Sequence, residues 1–248
     1  MHSTLKKSFA LLAFGAGLAA VAAPASAAAD LGGTWIIQSP QHALTTTDGK
    51  TPPLTAAARK VYEAHMAASA KGDRSWDPVA KCKPPGEPRT FMTKGWPFEL
   101  MQSSDRVDFL FQWNRLDRSV PLLDKQPPFE APYYFGQSIG HWDGDTLVVN
   151  VIGIKSNTTL DDAGLPHGDN LALTERYRLT NGGNTLEARI HVVDPADYTR
   201  PWDTVLTFRR APAGTRIAED VCFEREKLNI YATLQNSVTN ALSATAAK

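Results

Sequence analysis

Apolar and polar residues alternate with a period of two through most of the chain after residue 97. Val107, Phe109, Phe111 and Trp113 alternate with Arg106, Asp108, Leu110 and Gln112, the pattern of a strand with one buried face. Phe98 to Gln102 precedes this run across Ser103-Ser104-Asp105, so the two read as a hairpin. Leu171 to Leu179 and Asn184 to Val193 flank Asn181-Gly182-Gly183 and read as another. In the second of these strands Leu186, Ala188, Ile190 and Val192 oppose Glu187, Arg189 and His191. Trp202 to Arg210 and Thr215 to Phe223 are expected to be two further strands. The central signal is Phe135 to Ile152, where two strand-like runs flank Asp143-Gly144. An Asp-Gly pair suits a type I′ turn, which needs positive φ at both central residues. That turn pairs Trp142 with Asp145. It places Gly136, Ser138 and Gly140 on one face with Leu147, Val149 and Val151.

One stretch follows the helical period instead. Ala58, Val61, Tyr62, His65 and Met66 form a stripe within Ala56 to Ala70; Thr55 can cap its start and Lys71-Gly72 ends it. His65 is read there as a packed or half-exposed residue rather than a ligand. Residues 72–95 and 153–170 read as long irregular segments, 117–132 as a Pro-rich connection, and the tail from Glu224 as a candidate C-terminal helix. Strands follow strands in hairpin order without βαβ alternation. The expected fold class is therefore all-β and mainly antiparallel, a barrel or sandwich with one N-terminal helix.

The N-terminus adds a destination. Lys6 and Lys7 precede an apolar run from Phe9 to Ala23, and Ala25-Ser26-Ala27 is an A-x-A cleavage site. The run is about 15 residues, too short for the roughly 20 of a membrane span, so 1–27 reads as a signal peptide and 28–248 as a single domain. The expected location is periplasmic or secreted. The 26 basic and 26 acidic residues balance, and loss of Lys6 and Lys7 leaves the chain slightly acidic. There is no basic run, which argues against a nucleic-acid partner. The two cysteines, Cys82 and Cys222, are expected to form one disulfide in an oxidising compartment, with two packed thiols as the alternative.

Candidate chemistry is sparse. Leu171, Leu173, Glu175, Tyr177 and Leu179 share one face of their strand, so Glu175 lies on the apolar side. A carboxylate there is paired, protonated or facing a water-filled cavity. Lining a cavity, it would suit a general acid or base. His167 and Asp169 lie in the preceding loop and could join it at a barrel mouth. Tyr198 and Trp202, in the loop Asp194 to Trp202, could cover a flat apolar ligand, and Trp142 reads as hairpin anchor or ligand platform. His191 falls on the charged face, and no metal site is expected. Gly136-Gln137-Ser138-Ile139-Gly140 matches G-x-S-x-G in letters only, because the nucleophile elbow needs a strand–turn–helix context. No phosphate-binding loop, dinucleotide fingerprint or H-E-x-x-H occurs, and no cofactor is expected.

Two resemblances extend this reading. Leu31-Gly32-Gly33-Thr34-Trp35-Ile36-Ile37 resembles the first strand of lipocalin-like (calycin) barrels, where the Trp plugs the closed end. The run Gly136 to Val149 looks like the hairpin motif G-x-S-I-G-x-W-x-G-D-T-L-V-V of a large family of exported bacterial proteins. So do Cys82 to Arg89, Leu165-Pro166-His167, Thr174 to Tyr177, Asp194-Pro195, Tyr198 to Trp202 and Glu219 to Cys222. That family more often has Arg in place of His141 and Asp in place of Asn150. The resemblance implies export and an all-β fold. The functional expectation is an exported binder of a small, partly apolar or aromatic molecule. A cofactor-free acid/base enzyme (isomerase, lyase or hydratase) using Glu175 and His167 is one alternative. An envelope structural or interaction protein with a solid interior is the other.

Overall fold

The computed structural model describes residues 28–92 and 96–224. The expected signal peptide and C-terminal helix lie outside the described residues. The fold is all-β: β1 (Gly33–Ile37), β2 (Phe98–Gln102), β3 (Arg106–Phe111), β4 (Asp117–Pro121), β5 (Gln137–Asp143), β6 (Thr146–Ile152), β7 (Ala172–Thr180), β8 (Thr185–Val193) and β9 (Trp202–Arg210). They form one nine-stranded antiparallel sheet in the order β4-β3-β2-β1-β9-β8-β7-β6-β5. The sheet curls into a nearly closed barrel. Its two edges meet at a parallel bridge between Leu122 and Gly140, where the Leu123 amide donates to the Gly140 carbonyl at 3.1 Å. Gly140 permits that approach, because a Cβ there would stand 2.9 Å from Val120 Cγ1.

The alternating apolar residues point inward as their period requires. Val107, Phe109 and Phe111 of β3, Leu147, Val149 and Val151 of β6, and Leu186, Ala188, Ile190 and Val192 of β8 are all buried in one core. Trp35 is fully buried in the same core. Its Nε1 donates to the Leu31 carbonyl at 3.0 Å, and the Arg210 guanidinium lies over its ring at 4.3 Å. Arg210 also donates to the Gly32 carbonyl at 2.7 Å, so Gly33, at φ +119°, has no room for a side chain.

Four expectations need correction. The Asp143-Gly144 hairpin pairs Asp143 with Thr146, and Trp142 with Leu147, so its turn is Gly144-Asp145. Gly144 has φ +62° and Asp145 is not in the positive-φ region, which fits a type II′ turn with Gly at its first central position. The pairing slips by two residues, an even number, so each side chain stays on its expected face. The Pro-rich connection contains β4. Thr215 to Phe223 forms no strand, because β1 and β8 already occupy both edges of β9. Finally, α1 (Ala56–Ala70), capped by Thr55 as expected, buries only Ala58 and Tyr62 of its stripe; Val61 and Met66 are exposed.

The irregular segment before β2 enters the barrel. Its 3-10 turn, Arg89–Met92, is buried throughout. The Phe91 ring lies 5.1 to 6.2 Å from the rings of Phe98, Phe109, Phe111, Tyr177 and Phe208, which come from β2, β3, β7 and β9. The chain thus fills its own barrel. Upstream the segment is tied by the Cys82–Cys222 disulfide, which sits with Trp96 and Trp113 in a smaller outer cluster. A bridge across 140 residues is worth about 5 kcal/mol in the chain-entropy picture. Among the described residues no helix is long and apolar enough to cross a membrane.

Candidate functional site

Glu175 is fully buried on the inner face of β7, as the alternation requires. Its partner is Arg118 of β4, reached across the barrel. Arg118 donates through Nη2 to Glu175 Oε2 at 2.9 Å and through Nη1 to Oε1 at 3.3 Å. The Tyr177 hydroxyl donates to the same Oε2 at 2.9 Å. Ser138 of β5 accepts from Arg118 Nε at 3.2 Å and Nη2 at 3.0 Å, and the Phe109 ring lies 5.5 Å from the guanidinium carbon. Glu87, from the segment inside the barrel, completes the cluster. Its Oε1 is 3.4 Å from Arg118 Nη1. Neither Glu87 oxygen has a hydrogen-bond partner among the described residues.

Two carboxyl groups therefore share one guanidinium, with all three side chains removed from bulk solvent. Burial pushes the Glu87 carboxyl well above the usual range; Arg118 opposes this, and the nearby Glu175 charge adds to it. Burial also works against charge on Arg118, but Glu175 and Glu87 outweigh it and hold the guanidinium protonated. Burial, reinforced by Glu175, raises the Tyr177 phenol. The Glu87 carboxyl is thus pushed toward its protonated form beside a charged Arg118. Glu175 already accepts from a bidentate guanidinium and a phenol, which leaves it poorly placed to take a proton from a substrate.

His167 lies in a separate cluster. Its Nε2 is 2.9 Å from Thr158 Oγ1 and its Nδ1 3.1 Å from the Gly168 carbonyl. Burial lowers the imidazole, so it is held neutral, although the Gly168 carbonyl, Asp194 and Asp169 pull the other way. Asp194 caps the loop, accepting from the Gly168 and Ala196 amides. Among the described residues no hydrogen bond or ion pair joins His167 to Glu175. Asp169 is exposed. Tyr198 and Trp202 are buried, with ring centroids 5.4 Å apart, and the Tyr198 hydroxyl donates to the Pro166 carbonyl at 2.8 Å. Trp142 is half-buried against the main core. His191 faces Asp203 at 3.2 Å on the outer surface.

A third cluster anchors the segment that fills the barrel. Arg89, two residues from Glu87, donates to both oxygens of Asp77 at 2.8 Å, to Asp162 at 2.7 Å and to Thr159 at 3.0 Å. Asp77 also accepts from Arg74 and from the Val79 amide. Burial opposes ionisation of Asp77, but the Arg89 fork outweighs it and holds the carboxyl at about 2.

On the outer wall, a groove of about 610 Å³ runs between β2, β3, β4 and the segment 217–219. Met101, Leu110, Leu116 and Ile217 supply its apolar surface, and Asp108, Asp117, Glu219 and Arg115 its charges.

Sequence reasoning missed Arg118, Glu87, Arg89 and this groove. Arg118 had a signal: Arg118 and Val120 alternate with Asp117, Ser119 and Pro121, and the first pair is buried. The others come from irregular segments, where periodicity carries no information. A scan against protein-family models and a search of curated proteins return no match for this chain.

Proposed function

We propose that this chain is an exported binding protein for a small, partly apolar or aromatic molecule, and that the molecule lies in the groove on the outer wall. The groove carries the reading. Its volume of about 610 Å³ falls within the roughly 300–1,000 Å³ of small-molecule sites, and it combines an apolar surface with a few polar groups. Of its three carboxylates, Asp108 pairs with Arg106 at 2.9 Å and Glu219 with Arg115 at 3.2 Å, which leaves Asp117 without an ion pair among the described residues. A ligand with an apolar body and a cationic head, such as an aromatic amine, complements that surface. The leader-like residues 1–27, the resemblance to an exported family and the Cys82–Cys222 disulfide support export.

The acid/base enzyme reading needs a free Glu175, and the pairing with Arg118 and Tyr177 favours binding over turnover. The envelope-interaction reading draws support from one observation, the filling of the barrel by Phe91 and Met92.

The test is a thermal-shift screen of the mature protein against aromatic amines, aromatic acids, fatty acids and sugars. Binding to the folded state alone raises Tm. The expected result is a rise with aromatic amines that is lost in Leu110→Lys, which puts a cation on the groove surface. No shift with any class, or a shift that Leu110→Lys leaves intact, would remove the groove reading.

A further inference from the structure

The barrel interior is built like a ligand site and is occupied by the protein's own chain. Phe91 sits among Phe98, Phe109, Phe111, Tyr177 and Phe208, a box of edge-on and tilted rings. Such geometry is favourable for any aromatic ring placed there. Four residues earlier on the same segment, Glu87 presents its carboxyl to Arg118 at 3.4 Å. Ring and carboxyl thus enter the barrel together. The ring fits well. The carboxyl does not, because both its oxygens lack hydrogen bonds among the described residues, and Arg118 is already engaged by Glu175 and Ser138.

We infer that the barrel interior is a second binding site, for an aryl-alkanoic acid taken up as the neutral acid, and that the segment Glu87–Met92 stands in it as a tethered substitute. The ligand's ring takes the place of Phe91 and its carboxyl that of Glu87. The ligand must be neutral for the reason that constrains Glu87. The titratable groups facing that position are Arg118 from β4 and Glu175 and Tyr177 from β7; β5 contributes Ser138 and β3 the ring of Phe109. The Arg118 guanidinium is already engaged by Glu175 and Ser138, so a second anion brought into this buried position would be under-paired. A free acid has an advantage over the segment: its carboxyl is not fixed to a backbone and can turn to satisfy its hydrogen bonds.

The segment is also latched. Arg89 must leave Asp77, Asp162 and Thr159 for Glu87 and Phe91 to withdraw. A tethered occupant competes at an effective concentration on the order of millimolar, so free ligand is required at or above that level. Loosening the latch with Asp77→Asn lowers the requirement. This site is independent of the outer groove, which suits a cationic head where the barrel takes a neutral acid.

The experiment is hydrogen exchange followed by mass spectrometry on the full mature chain. The probes are 4-phenylbutanoic acid, 4-phenylbutanamide and 4-phenylbutylamine, each compared with a ligand-free control at pH 5 and pH 8. The expected result is exchange of the Thr90 and Phe91 amides accelerated about tenfold, a shift of about 1.4 kcal/mol in the opening equilibrium. The amide does this equally at both pH values and the acid far more at pH 5. The amine does not do it, and the β7–β8 hairpin stays protected. Asp77→Asn shows the same response at lower ligand concentration, and the unaltered chain keeps the test valid if that variant does not fold. Leu110→Lys leaves the response unchanged, which separates this site from the groove. Unchanged exchange of Thr90 and Phe91 with acid and amide at millimolar concentration would overturn the inference. So would acceleration by the amine, loss of the effect in Leu110→Lys, or exchange spreading through β7 and β8.

Discussion

Two arginine clusters hold the same short segment, and they are built from the same parts with opposite results. Arg89 meets two carboxylates, Asp77 and Asp162, and Arg118 also meets two, Glu87 and Glu175. Around Arg89 both Asp77 oxygens are hydrogen-bonded, and the Asp162 side chain keeps 35% of its surface in solvent. The Asp77 carboxyl there is held ionised by the Arg89 fork. Around Arg118 the two glutamates have no exposure at all, and one of them makes no hydrogen bond among the described residues. A guanidinium offers enough donors for two carboxylates only where geometry lets each reach its own edge, or where water serves the remainder. Glu87 and Arg89 are neighbours but one, so the segment is firmly bonded at Arg89 and under-bonded at Glu87.

Removing the cation from the under-bonded cluster should have the largest effect. Arg118→Leu leaves two buried carboxyls facing each other and is expected to cost about 3–5 kcal/mol at pH 8. The loss should shrink at pH 4, where both can carry protons, and chemical denaturation at the two pH values measures this. Asp77→Asn comes next. It breaks the Arg89 fork while Asp162 remains, and should cost about 3 kcal/mol, lowering Tm by roughly 6–12 °C. Asp77 is held at about 2, below its ordinary value of 3.8. Its contribution is present above pH 3.8 and lost as the pH falls through about 2, so wild type and Asp77→Asn should converge in strong acid.

Glu87→Gln should act in the other direction and more weakly. Because the folded carboxyl is raised, wild type is most favoured below the unfolded pKa of about 4.3 and loses stability as the pH rises through the folded value. The slope is at most about 1.4 kcal/mol per pH unit. Glutamine is a permanent neutral substitute, so the variant should match wild type near pH 4 and gain on it progressively as the pH rises toward 8. Glu175→Gln sharpens the comparison further. With Glu175 neutral, Arg118 becomes available to Glu87, and the rise in the Glu87 carboxyl should diminish, read by the same pH series.

The regular half of the molecule was legible in the sequence because period-two alternation maps directly onto an inward and an outward face. Glu175 on the apolar side of its strand, Leu186 to Val192 facing inward and the Thr55 cap all followed from spacing. The Cys82–Cys222 bridge followed from count and compartment. The central hairpin's faces were right although its turn was displaced, since a two-residue slip preserves parity. What alternation could not supply was the partner of Glu175. Arg118 sits in a strand of five residues bounded by Pro121, where a charged residue at an inward position reads as loop. Glu87, Phe91 and Arg89 come from a proline-rich segment whose path into the barrel is set by tertiary packing alone. The groove joins Met101 and Leu110 to Ile217, more than a hundred residues away, and no local pattern links them.

The most direct test of this account is the protonation state of Glu87 in the folded protein. Carboxyl carbon-13 NMR, with the Glu87 signal assigned by its loss in Glu87→Gln, can follow the group across the pH range. The account predicts that Glu87 titrates well above the ordinary glutamate value of about 4.3. A Glu87 carboxyl that titrates at or below that ordinary value would mean that Arg118 serves both glutamates as anions, and the contrast between the two arginine clusters would fall.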